Sequence, residues 1–404
     1  MKIKFLTVAM LVCGMVFSNA AVAKKKKDEK KEEGYVFTDV KRLPATSIKD
    51  QHRSGTCWSF SGLSFIESEM IRMGKSEVDL SEMFVVWQTY SERAYKHVRM
   101  HGKFNFGGGG AFHDVTNCIR KYGIVPEEVY TGLHYGEDGH THGEMDLLLK
   151  DYVDAVIKNR NRKLTPVWHK GFDGILDAYL GEIPEKFDYK GKEYTPQTFA
   201  KEYVGVNPDD YVEISSYTHH PFYSKFVIEV PDNWSWDQVY NVPLNEMMEI
   251  MESAIMNGYT LGWASDVSEK GFSFRNGVAI VPEADTKNMT DSEISKWENM
   301  STKEKASKLY SFNAPGKEKE ITQEMRQEAF DNYKTTDDHG MHITGIAKDQ
   351  KGNKYFIVKN SWGLDNNDYE GYFYASFPFV AYKTMSFMVH KDAIPEHLRE
   401  KMGL

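Results

Sequence analysis

The pattern of apolar and polar residues divides the chain into a largely helical first part and a β-rich last third. After Cys57, apolar residues recur at helical spacing as far as Gly74, which predicts a helix over residues 57–74. Ser81 is the predicted N-cap of a second helix. The pattern indicates further helical segments at residues 113–122, 135–200, 244–256 and 284–335.

Short apolar runs between turn residues predict the strands. Residues 342–346 and 355–358 are separated by the turn segment 349–353, and together they are expected to form an antiparallel hairpin. Further strands are expected at residues 226–230, 259–264, 371–375 and 385–389.

Composition places the chain among soluble globular proteins of one large or two ordinary domains. It has 404 residues, of which 41% are hydrophobic and 27% are charged. The formal net charge of −9 argues against a nucleic-acid partner, because such proteins need basic surfaces.

The N-terminus has the pattern of a secretory signal peptide over residues 1–23. Lys2 and Lys4 precede an apolar stretch, and residues 21–23 form an A-x-A cleavage site. Export to the periplasm or outside the cell is therefore expected. Lipidation at Cys13 is less favoured, because the residues before it lack the small side chains of a lipobox. Residues 24–34 form a charged tether, predicted to be disordered, ahead of a folded domain at 35–404.

Cleavage after Ala23 would take the formal net charge from −9 to −11, since it removes two lysines and no acid. It would also leave two cysteines, Cys57 and Cys118. An exported protein with so few cysteines is not expected to depend on disulfides. Cys118 is interpreted as a small buried hydrophobic residue.

Cys57 has the setting of a nucleophile. It begins the first predicted helix, where the positive end of the dipole lowers a thiol pKa and favours thiolate. Gln51 lies six residues upstream and could donate an N–H to a developing oxyanion. Taken alone, the same stretch also fits a structural cysteine.

Residues 107–110 are four consecutive glycines. They fit either a flexible loop or a wall along which an extended peptide is bound, because glycine allows close backbone approach. A phosphate-binding loop is not expected, because no strand precedes the glycines and no Gly-Lys-Ser/Thr follows. His140, His142 and Glu144 are weak metal-ligand candidates, and a solvated loop is the preferred interpretation; no metal is predicted.

His339 and His342 lie at the start of the first late strand, and Asn360 follows its hairpin partner. A base at the end of one strand and an amide at the end of its neighbour can complete a Cys–His–Asn triad with Cys57. The asparagine would orient the imidazole, and Trp362 could shield their hydrogen bond from water.

Three segments now resemble, in the same order, the signatures of papain-like cysteine peptidases: Gln51 with Cys57-Trp58, Asp338-His339-Gly340-Met341, and Lys359-Asn360-Ser361-Trp362-Gly363. The resemblance favours His339 over His342, because the family's histidine precedes a glycine by six residues, as His339 precedes Gly345. It implies an α+β fold of two lobes, the helical lobe carrying Cys57 and the antiparallel β-rich lobe carrying His339 and Asn360.

Within that family, the chain is similar to the bleomycin hydrolase and bacterial aminopeptidase C branch. Segments that carry this similarity include Tyr194-Thr195-Pro196, His219-His220 and residues 261–267. The resemblance implies a long insertion at roughly residues 135–300. It also implies that Gly107, Gly108, Gly109 and Trp362 line the substrate cleft, and that catalysis needs no cofactor.

The two ends of the chain depart from that branch. There the C-terminal tail enters the cleft, restricts cleavage to free N-termini and lies within a hexameric ring. Here Leu404 soon follows Pro395, so an open cleft is the alternative expectation, and the resemblance does not fix whether the chain forms a homo-oligomer.

Aminopeptidase action on peptides is the first functional prediction. The alternatives are endopeptidase action, acyl transfer of the transglutaminase type, and a non-catalytic peptide-binding module.

Overall fold

The computed structural model describes residues 34–161 and 163–404. The predicted signal peptide and nearly all of the charged tether therefore lie outside the described residues. Within the described ranges, no helix combines the length and the apolar character needed to cross a lipid bilayer.

Helices dominate the first lobe. Ser81 caps the second helix as predicted, since its hydroxyl accepts the N–H of Phe84 (3.1 Å). The apolar faces of these helices share one hydrophobic core, in which Leu63, Phe84 and Phe172 are fully buried. The helices are α1 (Cys57–Arg72), α2 (Glu82–Arg99), α3 (Phe112–Tyr122), α4 (Gly143–Ile157), α5 (Val167–Leu180) and α6 (Pro196–Thr198).

The second lobe is built around a mostly antiparallel sheet. The strands of the described chain are β1 (Phe37–Arg42), β2 (Phe187–Tyr189), β3 (Lys192–Tyr194), β4 (Tyr211–Ser215), β5 (Lys225–Val227), β6 (Gln238–Asn241), β7 (Leu261–Ser265), β8 (Phe272–Ser273), β9 (Val278–Ala279), β10 (His339–Asp349), β11 (Lys354–Lys359), β12 (Tyr372–Ser376) and β13 (Thr384–His390). Apart from the small β2–β3 hairpin, they join one sheet in the order β5-β6-β4-β13-β7-β10-β11-β12-β9-β8, with β1 paired to β10.

Helices also cover this sheet. Trp263 and Met341, on neighbouring strands, are fully buried in the second core together with Met247 of a covering helix. The remaining α-helices of the described chain are α7 (Leu244–Met256), α8 (Asp291–Glu298), α9 (Thr302–Leu309), α10 (Gln323–Asp331), α11 (Phe377–Lys383) and α12 (Glu396–Met402). Of these, α8 and α9 bury no residue.

Strand β10 lies at the centre of the sheet. Its first half pairs with β7, its second half pairs with β1, and β11 runs along its other edge. The predicted hairpin is therefore present, and both of its strands are longer than the apolar runs. Because β11 ends at Lys359 opposite His342, the next residue, Asn360, continues beside the start of β10.

The strand predicted at residues 226–230 is shorter in the structure. Strand β5 ends at Val227, after which residues 228–237 leave the sheet and return to it at β6. Pro231 lacks a backbone N–H, so it cannot continue a paired strand here. This crossing segment, residues 228–237, is called the strap below.

The C-terminal helix α12 packs on α7 at the outside of the second core. Leu398 and Met402 are buried there, and Lys401 pairs with Glu246 of α7 (2.7 Å). Residues 396–404 do not line the cavity that contains Cys57.

A buried lysine fixes the loop that leads into β10. Lys383 is 2% exposed, and its Nζ donates to Thr335 Oγ1 (3.0 Å) and to the Lys334 carbonyl (2.6 Å). It also pairs with Asp266 (3.6 Å) and with Glu269, in the loop after β7. One side chain thus ties together the loops that flank the start of β10.

We expect Lys383→Met to lower the free energy of unfolding by about 3–5 kcal/mol, because it leaves the buried Asp266 carboxylate without its cation. Urea denaturation measures the change. Lys391→Met, which breaks an exposed pair with Asp210, is the matched control and should leave the midpoint unchanged. Equal midpoints for wild type and Lys383→Met would contradict the structural role of this lysine.

Candidate active site

Cys57 is the first residue of α1, and its thiol meets the start of β10. Its Sγ accepts the backbone N–H of Gly340 at 3.5 Å. Cys57 and His339 line the same cavity. The structure therefore brings together two residues that are 282 positions apart, as the sequence predicted.

The helix and the strand approach closely because residue 340 has no side chain. A Cβ on Gly340 would lie 2.9 Å from Ser61 Oγ and 3.2 Å from Trp58 Cα. Any larger residue would push β10 away from α1, and with it the neighbouring His339.

The tautomer of His339 follows from its contact with Asn360. Asn360 Oδ1 accepts the backbone N–H of Ser361 (2.9 Å), which identifies this atom as the oxygen. The same Oδ1 lies 2.7 Å from His339 Nε2. In the neutral ring Nε2 therefore carries the proton, and Nδ1 keeps the lone pair that a general base needs.

Trp362 covers this histidine–asparagine contact. Its ring stacks on the His339 ring, with 4.7 Å between centroids and 27° between planes. His339 is 5% exposed and Asn360 is 3% exposed. His342 points elsewhere: its Nδ1 contacts Ser64 of α1 (2.9 Å). Strand geometry thus separates the two histidines.

Gln51 is buried beside the start of α1, and its amide is held at both ends. Its Oε1 accepts from Ser361 Oγ (2.7 Å), and its Nε2 donates to the Ser54 carbonyl (2.9 Å). Nε2 carries a second proton that this bond does not use, so it can still donate to an oxyanion.

Burial sets the protonation of the two reactive groups. It raises the pKa of the Cys57 thiol to about 11; the charges of Asp337 and Asp232 raise it further, and the Gly340 N–H opposes the rise. Burial also lowers the pKa of His339 to about 4, against the effect of its bond to Asn360. Both shifts favour a neutral pair, whereas the helix dipole alone predicted a thiolate. The difference arises because strand β10 covers this helix start and leaves Cys57 only partly exposed.

Comparison with known proteins places this arrangement in a family. Residues 7–403 match the Peptidase C1-like family. The chain belongs to that family. It is therefore a cysteine-type peptidase with a papain-like fold, which confirms the predicted fold class and the resemblance noted from the sequence.

The peptidase is similar to several curated relatives along most of its length. It is 22% identical to Aminopeptidase C of Lactococcus lactis subsp. lactis (strain IL1403), covering 88% of this chain and 83% of that one. It is also 22% identical to Aminopeptidase G of Lactobacillus delbrueckii subsp. lactis, covering 89% and 84%. The crystal structure of PepW from Lactobacillus rhamnosis HN001 has a TM-score of 0.66 and 20% identity, over 91% of this chain and 84% of that one, which shows a shared fold.

The four glycines of the peptidase pack against protein groups. The Gly108 carbonyl accepts from Trp58 Nε1 (3.0 Å) and from the Tyr90 hydroxyl (3.2 Å), and the Gly107 carbonyl accepts from Arg93. Gly110 lines the cavity with Cys57, whereas Gly107, Gly108 and Gly109 do not. The substrate-binding role given to these three glycines stays a prediction.

The strap crosses from the sheet to the glycines. The carboxylate of Asp232 lies directly over Gly109, where an added Cβ would collide with it. Trp234 Nε1 donates to Asp114 Oδ2 of α3 (3.0 Å), and Lys96 of α2 donates to the Ser235 carbonyl (2.7 Å). The strap is thus fixed to the helical lobe.

A buried ion pair lies at the edge of the same cavity. His113 Nδ1 is 3.0 Å from Glu213 Oε1, and His113 Nε2 is 2.9 Å from Ser235 Oγ of the strap. Burial lowers the pKa of His113, but the charge and hydrogen bond of Glu213 outweigh that effect and raise it to about 9. At neutral pH a charged His113 therefore holds the strap to Glu213.

Among the described residues, one cluster has side chains close enough together to hold a metal ion, and it does not line this cavity: His219, His220 and Glu229. Its hydrogen bonds oppose coordination. Gln327 Oε1 accepts the Thr218 N–H (2.6 Å), so its Nε2 donates to His219 Nδ1 (3.0 Å). The ring proton is then on Nε2, which points at Glu229 (3.0 Å) and has no lone pair for a metal.

His140 and His142 are buried side by side and not in a solvated loop, with 5.7 Å between ring centroids.

Sequence reasoning missed the acidic side of the cavity. Asp232, Asp337 and Glu213 all line it. Asp337 was two residues from a predicted catalytic group, and Pro231 with Asn233 was a turn signal directly after a predicted strand. The contact between the strap and the glycines is a tertiary feature that no local pattern shows.

The His113–Glu213 pair predicts a pH dependence of stability. The folded pKa of His113 lies above its ordinary value of 6.5, so its stabilisation is complete below pH 6.5 and is lost as pH rises through about 9. Between about pH 6 and about pH 10, the wild type should lose about 3 kcal/mol of unfolding free energy relative to His113→Gln. Urea denaturation at both pH values measures this. His397→Gln, at an exposed histidine, is the control, and parallel pH profiles for wild type and His113→Gln would refute the pairing.

Proposed function

We propose that the chain is an aminopeptidase that cleaves peptides through a Cys57–His339–Asn360 triad. The observation that carries the proposal is the His339–Asn360 contact of 2.7 Å in the cavity that also contains the Cys57 thiol. The curated relatives named aminopeptidases support the choice of exopeptidase action.

Cys57 begins the reaction as a neutral thiol. As its Sγ attacks the peptide carbonyl, its proton moves to His339 Nδ1, and the carbonyl oxygen becomes an oxyanion. The backbone N–H of Cys57 and the free N–H of Gln51 Nε2 stabilise this charge. Asn360 holds the imidazolium in place, because its Oδ1 accepts the hydrogen bond of His339 Nε2.

The intermediate collapses when His339 returns the proton to the leaving amine. The C–N bond breaks, and a thioester joins Cys57 to the N-terminal part of the substrate. A water molecule then attacks the thioester, His339 takes its proton, and the thiol re-forms with release of the acid. The reaction needs only the residues of the chain, the peptide and water.

An endopeptidase with an open cleft is the second candidate function. It is favoured by the position of α12, since residues 396–404 do not line the cavity that contains Cys57. The two functions differ in one requirement, which is a free α-amine on the substrate.

Substrates that differ only in this amine test the proposal. We expect alanyl-aminomethylcoumarin to be hydrolysed faster than its N-acetyl analogue.

Cys57→Ala should lose at least about 1,000-fold in kcat and all iodoacetamide labelling of residue 57. Asn360→Ala should lower kcat by about 100-fold with little change in KM, because His339 loses its orientation.

Cys118→Ala removes the other cysteine of the described chain and is the matched control, with activity close to wild type. Preference for the N-acetyl substrate would favour the endopeptidase. Undiminished hydrolysis by Cys57→Ala would rule out both candidates.

We also propose that the protein is exported, as the pattern of residues 1–23 predicts. The mature protein should begin at Lys24, which N-terminal mass spectrometry of the periplasmic and extracellular fractions measures. Replacing Ala21 and Ala23 by bulky residues should leave the uncleaved precursor in the cell extract. An intact N-terminus on protein recovered from every fraction would contradict export by this signal.

A further inference from the structure

The glycines beside Cys57 are covered at Gly109 by the Asp232 carboxylate. A peptide that passed Cys57 in that direction would run along Gly109 and Gly110. The Asp232 carboxylate already rests on Gly109, in the space that the backbone of such a peptide would need. The substrate chain is therefore stopped close to the thiol.

The strap is held in this position from several sides. Asn105 donates to Asp232 Oδ1 (3.2 Å), and the bonds of Trp234, Ser235 and Lys96 join the rest of the strap to α2 and α3. Asn233 is 3% exposed, and its Nδ2 donates to the carbonyls of residues 228 and 237, which closes the strap on itself (3.1 and 2.9 Å). These contacts hold the strap in a fixed position at one side of the site.

The space that remains beside the thiol is small. The cavity has a volume of about 30 Å³, and Cys57, His339, Asp232 and Asp337 line it. An enclosed space of this size holds a group as small as a water molecule. An ammonium group has the size of a water molecule and fits it.

The charges of the cavity favour a cation. Asp232, Asp337 and Glu213 carry carboxylates, and the one positive group that lines it, His113, is paired with Glu213. In residues 34–161 and 163–404, no side chain forms a hydrogen bond or ion pair with the Asp337 carboxylate. Asp338 also lines the cavity, and no cation among the lining residues pairs with Asp232 or Asp337.

We propose that the strap limits this peptidase to removing single N-terminal residues, and that Asp232, assisted by Asp337, binds the α-ammonium of the substrate. The inference rests on the proposed function and adds the group that recognises the free N-terminus.

Asp232 is the principal partner of the ammonium. Burial, then the charges of Asp232 and Asp338, raise the pKa of Asp337 to about 8, so Asp337 is largely protonated at neutral pH when no cation is bound. Burial raises the pKa of Asp232 as well, but Arg93 and the hydrogen bond from Asn105 act in the opposite direction. Asp232 also lies nearer to the path of the substrate backbone, over Gly109.

The test uses the full-length protein and compares alanyl-aminomethylcoumarin with its N-acetyl analogue. Asp232→Asn keeps the shape of the strap and removes the charge. Its kcat/KM for the free-amine substrate should fall by about 30-fold or more, with hydrolysis of the acetylated substrate unchanged. Asp237→Asn, an equivalent change on the same strap but outside the cavity, should keep the wild-type preference.

A second variant tests the steric part. Asp232→Gly removes the carboxylate from Gly109, so it should increase hydrolysis of an N-blocked dipeptidyl-aminomethylcoumarin by at least about 10-fold over Asp232→Asn. Acetyl-lysyl-aminomethylcoumarin distinguishes an α-ammonium from a side-chain ammonium, and the wild type should hydrolyse it no better than acetyl-alanyl-aminomethylcoumarin.

Thermal unfolding of each variant checks that the fold is kept. An equal loss on free and acetylated substrates in Asp232→Asn would show a structural role only and overturn the inference. Wild-type release of dipeptides from an unblocked peptide would overturn the limit to single residues. In both cases the cysteine peptidase assignment stands, whereas activity that survives Cys57→Ala would refute the proposed function itself.

Discussion

The close contact between the start of α1 and the start of β10 is the constraint on which the site depends. Cys57 belongs to the helical lobe and His339 to the sheet, so neither lobe carries the reactive pair by itself. Gly340 allows the two backbones to approach, and its N–H reaches the thiol at 3.5 Å. Beneath this contact, Lys359 donates to Ser64 of α1 (2.7 Å), which joins the sheet to the helix a second time. The spacing of the thiol and the imidazole is therefore a property of the interface between the lobes.

The sequence was informative wherever chemistry is local. Helix α1 and the β10–β11 hairpin follow from spacing and turn residues, and the choice of His339 over His342 follows from the resemblance to the peptidase family. The protonation of Cys57 could not be predicted in the same way, because burial depends on what the distant strand β10 places over the helix start. The strap was hidden for a related reason: its apolar residues continue the pattern of β5, and only its packing on Gly109 shows that the chain has left the sheet.

Two opposite electrostatic environments meet in one small cavity. On the side of Cys57 and His339, burial favours uncharged groups. Proton transfer from Cys57 to His339 therefore accompanies the attack, when the negative oxyanion balances the positive imidazolium. On the side of Asp232 and Asp337, burial raises the pKa of both carboxyl groups, and a bound cation would stabilise their ionised forms. A substrate with a free amine brings a positive charge to the second side while its carbonyl enters the first. Both sides thus act on the same residue of the substrate.

The strap has a further consequence because it is part of the same chain as Cys57. Recognition by a neighbouring subunit weakens on dilution, whereas a group tethered within the chain keeps a constant effective concentration at the site. Selectivity that resides in the strap would therefore be the same at trace concentration in the surroundings of a cell as in a concentrated extract. The ten residues of the strap, 228–237, would then give the selectivity without a contribution from any neighbouring subunit.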